Sequence, residues 1–236
     1  MRGLKRVGKF FLGVLTGLFT LGLIVGAVFG VKGYLMSREA LEQLPVEEMA
    51  EEIQADEHFT TIEELPELYV QAVIAAEDQR FWTHGGYDLI AIGRALWNDL
   101  RTLSFAEGGS TITQQLAKNQ YFTQEKRIER KVAEVFAAVE IEAVLTKEEI
   151  FELYVNTIYF GSGYYGIYDA AMGYYGKEPS ALSDAEAVML AGLPNAPSAY
   201  SPDVSPELAG QRMRQVLRCM TEQGVLTESE ADALLV

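Results

Sequence analysis

The chain opens on an uninterrupted apolar run. Residues 10 to 31, FFLGVLTGLFTLGLIVGAVFGV, carry no charge over 22 positions. Such a run is long enough to cross a bilayer as a helix. Beyond it, apolar positions recur at helical spacing in short blocks separated by Gly, Pro and Ser. Residues 36 to 59, MSREALEQLPVEEMAEEIQADEHF, are acidic and weakly periodic, so 32–59 reads as a stalk or first helix. In TIEELPELYVQAVIAAEDQRF, Pro66 stands near a helix start, and Val70, Val73, Ile74 and Glu77 share one face. YDLIAIGRALWNDLR, 87 to 101, repeats the helical pattern. LSFAEGGSTITQQLAKNQYF opens as a Gly/Ser loop and continues as a short helix. A long helix is predicted over 124–145, with Ile128, Val132, Val135, Phe136 and Val139 as its apolar stripe. TKEE at 146–149 and SDAE at 183–186 are capping boxes, each ahead of an apolar run. GSGYYGIYDAAMGYYG begins glycine-rich and turns helical, and a last helix covers 205–222. There is no run of alternating strands and no internal repeat. The pattern predicts a mostly α domain over 60–225, followed by a C-terminal tail at 226–236.

Composition and charge narrow this picture. A chain of 236 residues holds one ordinary domain with a core and a small extra element. With 49% apolar and 22% charged residues, it is not disordered in composition. Arg2, Lys5, Arg6 and Lys9 precede the apolar run, and only Lys32 and Arg38 follow closely. That asymmetry predicts residues 1–9 as a cytoplasmic tail, 10–31 as the transmembrane helix, and everything after as extracytoplasmic. A cleaved signal peptide is the competing reading, but the apolar stretch is too long and no small-x-small cleavage site follows it. After residue 38 the chain holds 13 basic and 34 acidic groups, a net charge of -21. Such a domain is a poor candidate for nucleic acid, and clusters of its sparse basic groups are informative. Cys219 is the single cysteine, so no intrachain disulfide forms, and its helical neighbours suggest a core position. His58 and His84 are the only histidines, which excludes a His-rich or Cys-rich metal site.

Three polar clusters interrupt the apolar pattern. Glu77 continues the face of Val70, Val73 and Ile74. A carboxylate there costs free energy unless it is paired, protonated or put to use, and a desolvated one suits a general base. The plain alternative is a polar last turn of a helix. Arg80 and His84 are the candidate charge partners. On the long helix, Arg127, Arg130, Lys131 and Glu134 lie together off the apolar stripe, beside the small residues Ala137 and Ala138. The short side chains suggest open space there. This surface is either a solvated face with Arg130–Glu134 pairing, worth a few tenths of a kcal/mol, or a site where cations neutralise a departing polyanion. In GGSTITQQLAKN, Gly108 and Gly109 permit close backbone approach, and Ser110 and Thr111 can cap a helix. Thr113, Gln114, Lys118 and Asn119 add a dense set of hydrogen-bonding groups. The run lacks the Gly-Lys-Ser/Thr element of a nucleotide phosphate loop. It reads as a polar cap or as a sugar or phosphate site.

Taken in series, five blocks resemble one family. They are EDQRFWTHGG, GGSTITQQLAKN, RKVAE, ELYVNTIYFGSGYYGIYDAAMGYYGK and LSDAEAVMLAGLPNAPSAYSP. Residues 60–202 resemble the peptidoglycan glycosyltransferases, found as monofunctional enzymes and as the polymerase domain of bifunctional penicillin-binding proteins. The resemblance implies a lysozyme-like, mostly α fold with a small amphipathic lobe, within 100–125, that dips into the membrane. It implies polymerisation of lipid II into a β-1,4 glycan with inversion and release of undecaprenyl pyrophosphate. In that family Glu77 corresponds to the general base on the acceptor hydroxyl. Glu134 corresponds to the acid on the pyrophosphate side, acting directly or through a divalent cation (Mg or Mn). Lys118, Arg130 and Lys131 stand at positions associated with the donor phosphates. Asp78, Phe81 and His84 then frame Glu77. Ser110, Thr111, Thr113, Gln114, Gln115, Asn119, Arg127 and Asn156 complete the expected substrate-binding set. No organic cofactor and no nucleic acid is implied. The implied partners are lipid II, the growing lipid-linked glycan, the bacterial membrane and other wall-synthesis proteins.

Phe105, Tyr121 and Phe122 are the aromatics expected at the membrane interface. The run Gly85-Gly86-Tyr87-Asp88 places a glycine where the family tolerates variety, and the YVN triplet is a mild apolar exchange; no consequence is expected of the glycine. After residue 202 no Ser-x-x-Lys element appears, so the sequence reads as a monofunctional polymerase or a piece of a longer protein. The competing functions are a membrane-anchored muramidase and a non-catalytic scaffold for wall synthesis.

Overall fold

The computed structural model describes residues 2–102, 109–123 and 127–235. Among them are twelve α-helices and one two-stranded hairpin. The first helix, α1 (Arg2–Gln43), runs unbroken for 42 residues, about 63 Å at 1.5 Å per residue. It contains a stretch long and apolar enough to cross a membrane, none of it buried against the rest of the chain. The helix does not end where the apolar run ends. Its last part lies along α6 (Ile128–Val144), with Tyr34 edge-on to Phe136 at 5.4 Å and Lys32 paired to Glu129 at 3.7 Å. The next helix, α2 (Val46–Gln54), buries Val46, Met49 and Ala50 in the core. Of the two readings of 32–59, stalk or first helix, the helical one matches the end of α1 and α2, and buried core residues begin at Val46, ahead of Thr60.

The core is built from α3 (Glu67–Glu77), α5 (Ile112–Tyr121), α7 (Lys147–Thr157), α9 (Asp184–Gly192) and α11 (Pro206–Glu222). Helix α3 is enclosed by α9 and α11. It buries Tyr69, Ala72, Val73 and Ala75, while Val70 and Ile74 are half-buried, so the interior reaches two sides of it and not the single predicted face. Helix α5 lies between α6 and α7. The inner face of α6 is Ala133, Glu134, Ala137, Ala138 and Ile141, all fully buried. Ala137 and Ala138 are short because α5 packs close to them. They do not leave the open space that their size suggested. The apolar stripe of α6 faces the other way, toward α1 through Val132 and Phe136.

Local rules account for most helix starts. Thr111, Thr146 and Ser183 each cap a helix, with Gln114, Glu149 and Glu186 closing the box. Helix α4 (Leu89–Thr102) follows the expected pattern but leaves Leu89, Ile90 and Trp97 exposed. These positions precede the expected lobe at 100–125. Tyr121 and Phe122 pack against the core instead, and Phe105 and Gly108 lie outside the described residues. The hairpin, β1 (Tyr159–Gly161) with β2 (Tyr164–Tyr165), is too short to show alternation. The expected tail at 226–236 contains α12 (Glu228–Ala233), capped by Thr227 and Glu230, with Ala231 buried.

Gly86 joins these elements at the site. Its φ is +86°, and a Cβ there would meet the Ala138 carbonyl oxygen at 2.8 Å. Its own carbonyl accepts from Thr111 Oγ1 at 2.8 Å. At Gly85, by contrast, a Cβ meets nothing within 4 Å. Gly86→Ala is expected to cost about 2 kcal/mol or more in urea unfolding, from backbone strain and the clash together. Gly85→Ala should stay within about 0.5 kcal/mol of wild type, as surface changes usually do. Equal losses at the two positions would refute the assignment of the tight contact to Gly86.

Candidate active site

Glu77 is the last residue of α3, and its side chain is only 8% exposed. Two donors from distant elements meet it. Arg212 of α11 reaches Oε1 at 3.2 Å, and Gln115 of α5 donates to Oε2 from Nε2 at 2.9 Å. Arg212 is itself held by the Gly192 carbonyl at 3.0 Å. Tyr154 donates its hydroxyl to Gln115 Oε1 at 3.4 Å, which turns the amide nitrogen toward Glu77. Burial, reinforced by the nearby Glu77 carboxylate, pushes the Tyr154 phenol well above its ordinary range, so it stays a donor. The expected partners, Arg80 and His84, are engaged elsewhere. Arg212 was invisible to sequence reasoning because it lies outside the five blocks and pairs across 135 positions.

Arg80 pairs with Asp88, and His84 Nε2 lies 2.8 Å from Asp78 Oδ2. That same Asp78 oxygen accepts the backbone N–H of Ile112, the first residue of α5, at 3.0 Å. Phe81 is fully buried beside Phe151. Asp88 accepts the N–H groups of Ile90 and Ala91, which starts α4. Burial works to raise the Asp88 pKa, but the Arg80 hydrogen bond and charge and the two N–H groups outweigh it, so the net shift is downward.

The second carboxylate is held by its own helix. Glu134 is fully buried, with Arg130 Nε at 3.3 Å and Lys131 Nζ at 2.9 Å. Arg130 also donates to the Thr123 carbonyl at 3.1 Å. Lys131 is the more open cation, and it reaches the hydroxyl of Ser110 as well as Glu134. Ser110 lines the same cavity as Glu77, together with Asp78, Asp88, Arg94 and Gly109. That cavity has a volume of about 200 Å³. A wider cleft of about 580 Å³ lies beyond Gln115, lined by Lys118, Asn119, Tyr159, Tyr165 and Asn195. Glu77 and Gln115, joined by their hydrogen bond, thus separate two hollows.

Some expected contact residues are placed otherwise. Thr111, Gln114 and Thr113 are buried: the first two cap α5, and Thr113 donates to Glu142 Oε1 at 2.6 Å. Asn156 accepts from the Thr60 N–H at 2.9 Å and donates to its carbonyl at 2.8 Å, pinning the entry of the domain to α7. Their polar side chains satisfy backbone and neighbours; Thr111 also lines the Glu77 cavity, whereas Thr113, Gln114 and Asn156 line neither hollow beside Glu77. Arg127 stands at the N-cap of α6. Cys219 is half-buried and lines the Glu77 cavity instead of lying in the core; burial raises its thiol pKa.

The transglycosylase family model matches residues 44–221, which is most of the chain. The chain belongs to the transglycosylase family. Penicillin-binding protein 1A of Aquifex aeolicus is 46% identical over 172 residues, covering 73% of this chain and 24% of that protein. Penicillin-binding protein 1A of Neisseria gonorrhoeae is 47% identical over 177 residues, covering 75% of this chain and 22% of that protein. The chain therefore spans under a quarter of the length of the curated relatives it matches. Membership fits the mostly helical, lysozyme-like architecture expected from the five blocks.

A resident divalent ion does not fit the donor set around Glu134. Among the described residues no three acids, histidines or cysteines converge. Magnesium and calcium ions take several oxygen ligands, whereas Glu134 supplies a single carboxylate already flanked by two cations.

Two stability predictions follow from this geometry. Arg212→Met leaves Glu77 with one protein donor in a nearly closed position, and should lower stability by about 1–3 kcal/mol. A urea midpoint unchanged at constant slope would remove Arg212 from its assigned role. For Asp88 the folded pKa lies below its ordinary value of 3.8. Its stabilisation is therefore complete above that value and is lost as pH falls through the folded pKa. Asp88→Asn keeps the cap but loses the charge, so it should cost about 1–2 kcal/mol near pH 7, and the cost should shrink as pH falls below 3.8 and through the folded pKa. A gap that persists in acid would contradict this.

Proposed function

We propose that this chain polymerises lipid II into a β-1,4-linked glycan, releasing undecaprenyl pyrophosphate with inversion at the anomeric carbon. The observation that carries the reading is the Ser110 bridge. One wall of the Glu77 cavity is the same hydroxyl that Lys131 touches while pairing with Glu134. A base and a phosphate-binding cation thus meet at one cleft.

The chemistry suits that layout. Glu77 takes the proton of the acceptor hydroxyl as its oxygen bonds to the anomeric carbon. The electron pair of the breaking anomeric C–O bond leaves with the pyrophosphate. Lys131 and Lys118 neutralise the charge that develops there, which lowers the barrier. Arg212 and Gln115 orient the Glu77 carboxylate, so little reorganisation accompanies proton transfer. Glu134 holds Lys131 in place. No step requires a resident ion.

The membrane arrangement belongs to the same proposal. The basic residues before the apolar run support an N-terminus in the cytoplasm and a folded body outside. The exposed Leu89, Ile90 and Trp97 of α4 suit the bilayer interface. Other wall-synthesis proteins are the partners that this location would offer.

Turnover of labelled lipid II into polymer is the decisive assay. Glu77→Gln is expected to lower kcat by roughly 10³-fold, within the usual range for a general base. Glu134→Gln should lower it by roughly 10²-fold while leaving the fold intact by circular dichroism. A chelator should reduce wild-type turnover less than Glu134→Gln does. Full polymerisation by a folded Glu77→Gln variant would overturn the base assignment. Hydrolysis of finished sacculi without consumption of lipid II would favour a muramidase.

A further inference from the structure

The apolar span and the folded body share one helix, and the joint between them is tight. Gly33 lies two residues beyond Val31, the end of the apolar run, about 3 Å further along the helix axis. A Cβ at Gly33 would stand 2.6 Å from Val132 Cγ1 and 3.0 Å from the Ala133 nitrogen of α6. Gly13, Gly17, Gly22, Gly26 and Gly30 of α1 meet nothing within 4 Å. Among the glycines from Gly13 to Gly33, Gly33 alone is one at which a helix neighbour occupies the space of a side chain. Around it, Tyr34 meets Phe136, Lys32 meets Glu129, and Ser37 is 1% exposed. Immediately before Val132 stands Lys131, and two residues after it Glu134.

We propose that Gly33 is a positioning residue. Its contact with Val132 fixes the Lys131–Glu134 end of α6 at the bilayer surface, where the pyrophosphate of a membrane-borne substrate lies. This rests on the function proposed above. A flexible tether would raise the local concentration of the body at the membrane but average its orientation. A continuous helix locked to α6 fixes height and orientation together, which is the part of binding that a tether leaves unpaid. The benefit falls on substrates whose lipid stays in the bilayer. A water-soluble substrate reaches the site whatever its height.

The full chain in lipid nanodiscs tests this. Gly33→Val should raise KM for bilayer-borne lipid II about tenfold, a binding loss of about 1.4 kcal/mol, with kcat little changed. Activity on a water-soluble, short-prenyl analogue should be unaffected. Exchanging the two residues, Gly33→Val with Val132→Gly, should recover part of the loss in KM, because the Val132 side chain is removed while the Ala133 backbone nitrogen remains 3.0 Å from the new Cβ. Tyr34→Ala loosens the seam without inserting bulk, and should raise KM in the same direction by a smaller factor. It serves if Gly33→Val does not fold. An unchanged KM in Gly33→Val or Tyr34→Ala, beside normal wild-type turnover, overturns the inference alone. So does an equal loss on both substrates that the exchange fails to rescue. A wild type that neither binds nor consumes lipid II overturns the functional reading and this inference with it.

Discussion

One oxygen of Asp78 organises the site. It accepts the Ile112 N–H and faces His84 Nε2, so the end of α3 is tied to the start of α5. Glu77 lies one residue before this tie and Gln115 three residues after it, and their 2.9 Å hydrogen bond follows from that register. The tie is backed by further polar contacts. His84 Nδ1 lies 3.5 Å from Lys147 Nζ, and Lys147 and Thr113 both donate to Glu142 Oε1 at 2.6 Å. A satisfied buried network of this kind resists displacement, because opening any member strands others away from water. Thr113 and His84 therefore act on the Glu77–Gln115 register through the position of α5.

The two carboxylates are alike in burial and different in support. Glu77 draws its donors from α5 and α11, two helices that meet only in the finished fold. Glu134 draws its cations from the preceding turn of its own helix. The first arrangement leaves a carboxylate at the rim of a hollow, oriented by groups that do not depend on one another. The second keeps the acid inside and presents Lys131 outward. A proton acceptor needs access to substrate, whereas an acid that steadies a cation does not. The -21 net charge after residue 38 sharpens the contrast. Since that excess repels anions at long range and is screened within about 8 Å at physiological salt, an anionic group is retained by cations that touch it.

The features legible in the sequence are those governed by neighbours in the chain. The boxes at Thr146 and Ser183 start helices where the pattern placed them, because capping involves four consecutive residues. The same signal stands at Thr227–Glu230, and it would have identified α12 within the expected tail. Arg212 carried no such signal. An ion pair across the fold leaves no spacing to read, and its block lay outside the resemblance. The polar run after Ser110 was legible as dense in hydrogen-bonding groups, but which of them turn inward depends on α6 and α7. Thr113 and Gln114 are buried by those neighbours, while Lys118 and Asn119 line the wide cleft. The Gly85-Gly86 pair shows the same limit. The positive φ of Gly86 and the proximity of Ala138 distinguish the required glycine from the replaceable one.

Helix α6 explains why periodicity alone misled. Its stripe of Ile128, Val132, Val135, Phe136 and Val139 is a real apolar face, but it meets α1, through Val132 and Phe136, and not the core. The core lies against a second face, whose alanines had looked like vacant space beside a polar surface. A hydrophobic pattern identifies a face that wants cover and says nothing about what covers it. Here the membrane-length helix covers the middle of the stripe, while Ile128 and Val139 stay exposed. The apolar stripe, the alanines and the Arg130–Lys131–Glu134 cluster are then three consequences of one placement. Wedged between α1 and α5, α6 can carry a buried acid only if its own cations neutralise it, and their outer end emerges where α1 leaves the apolar span.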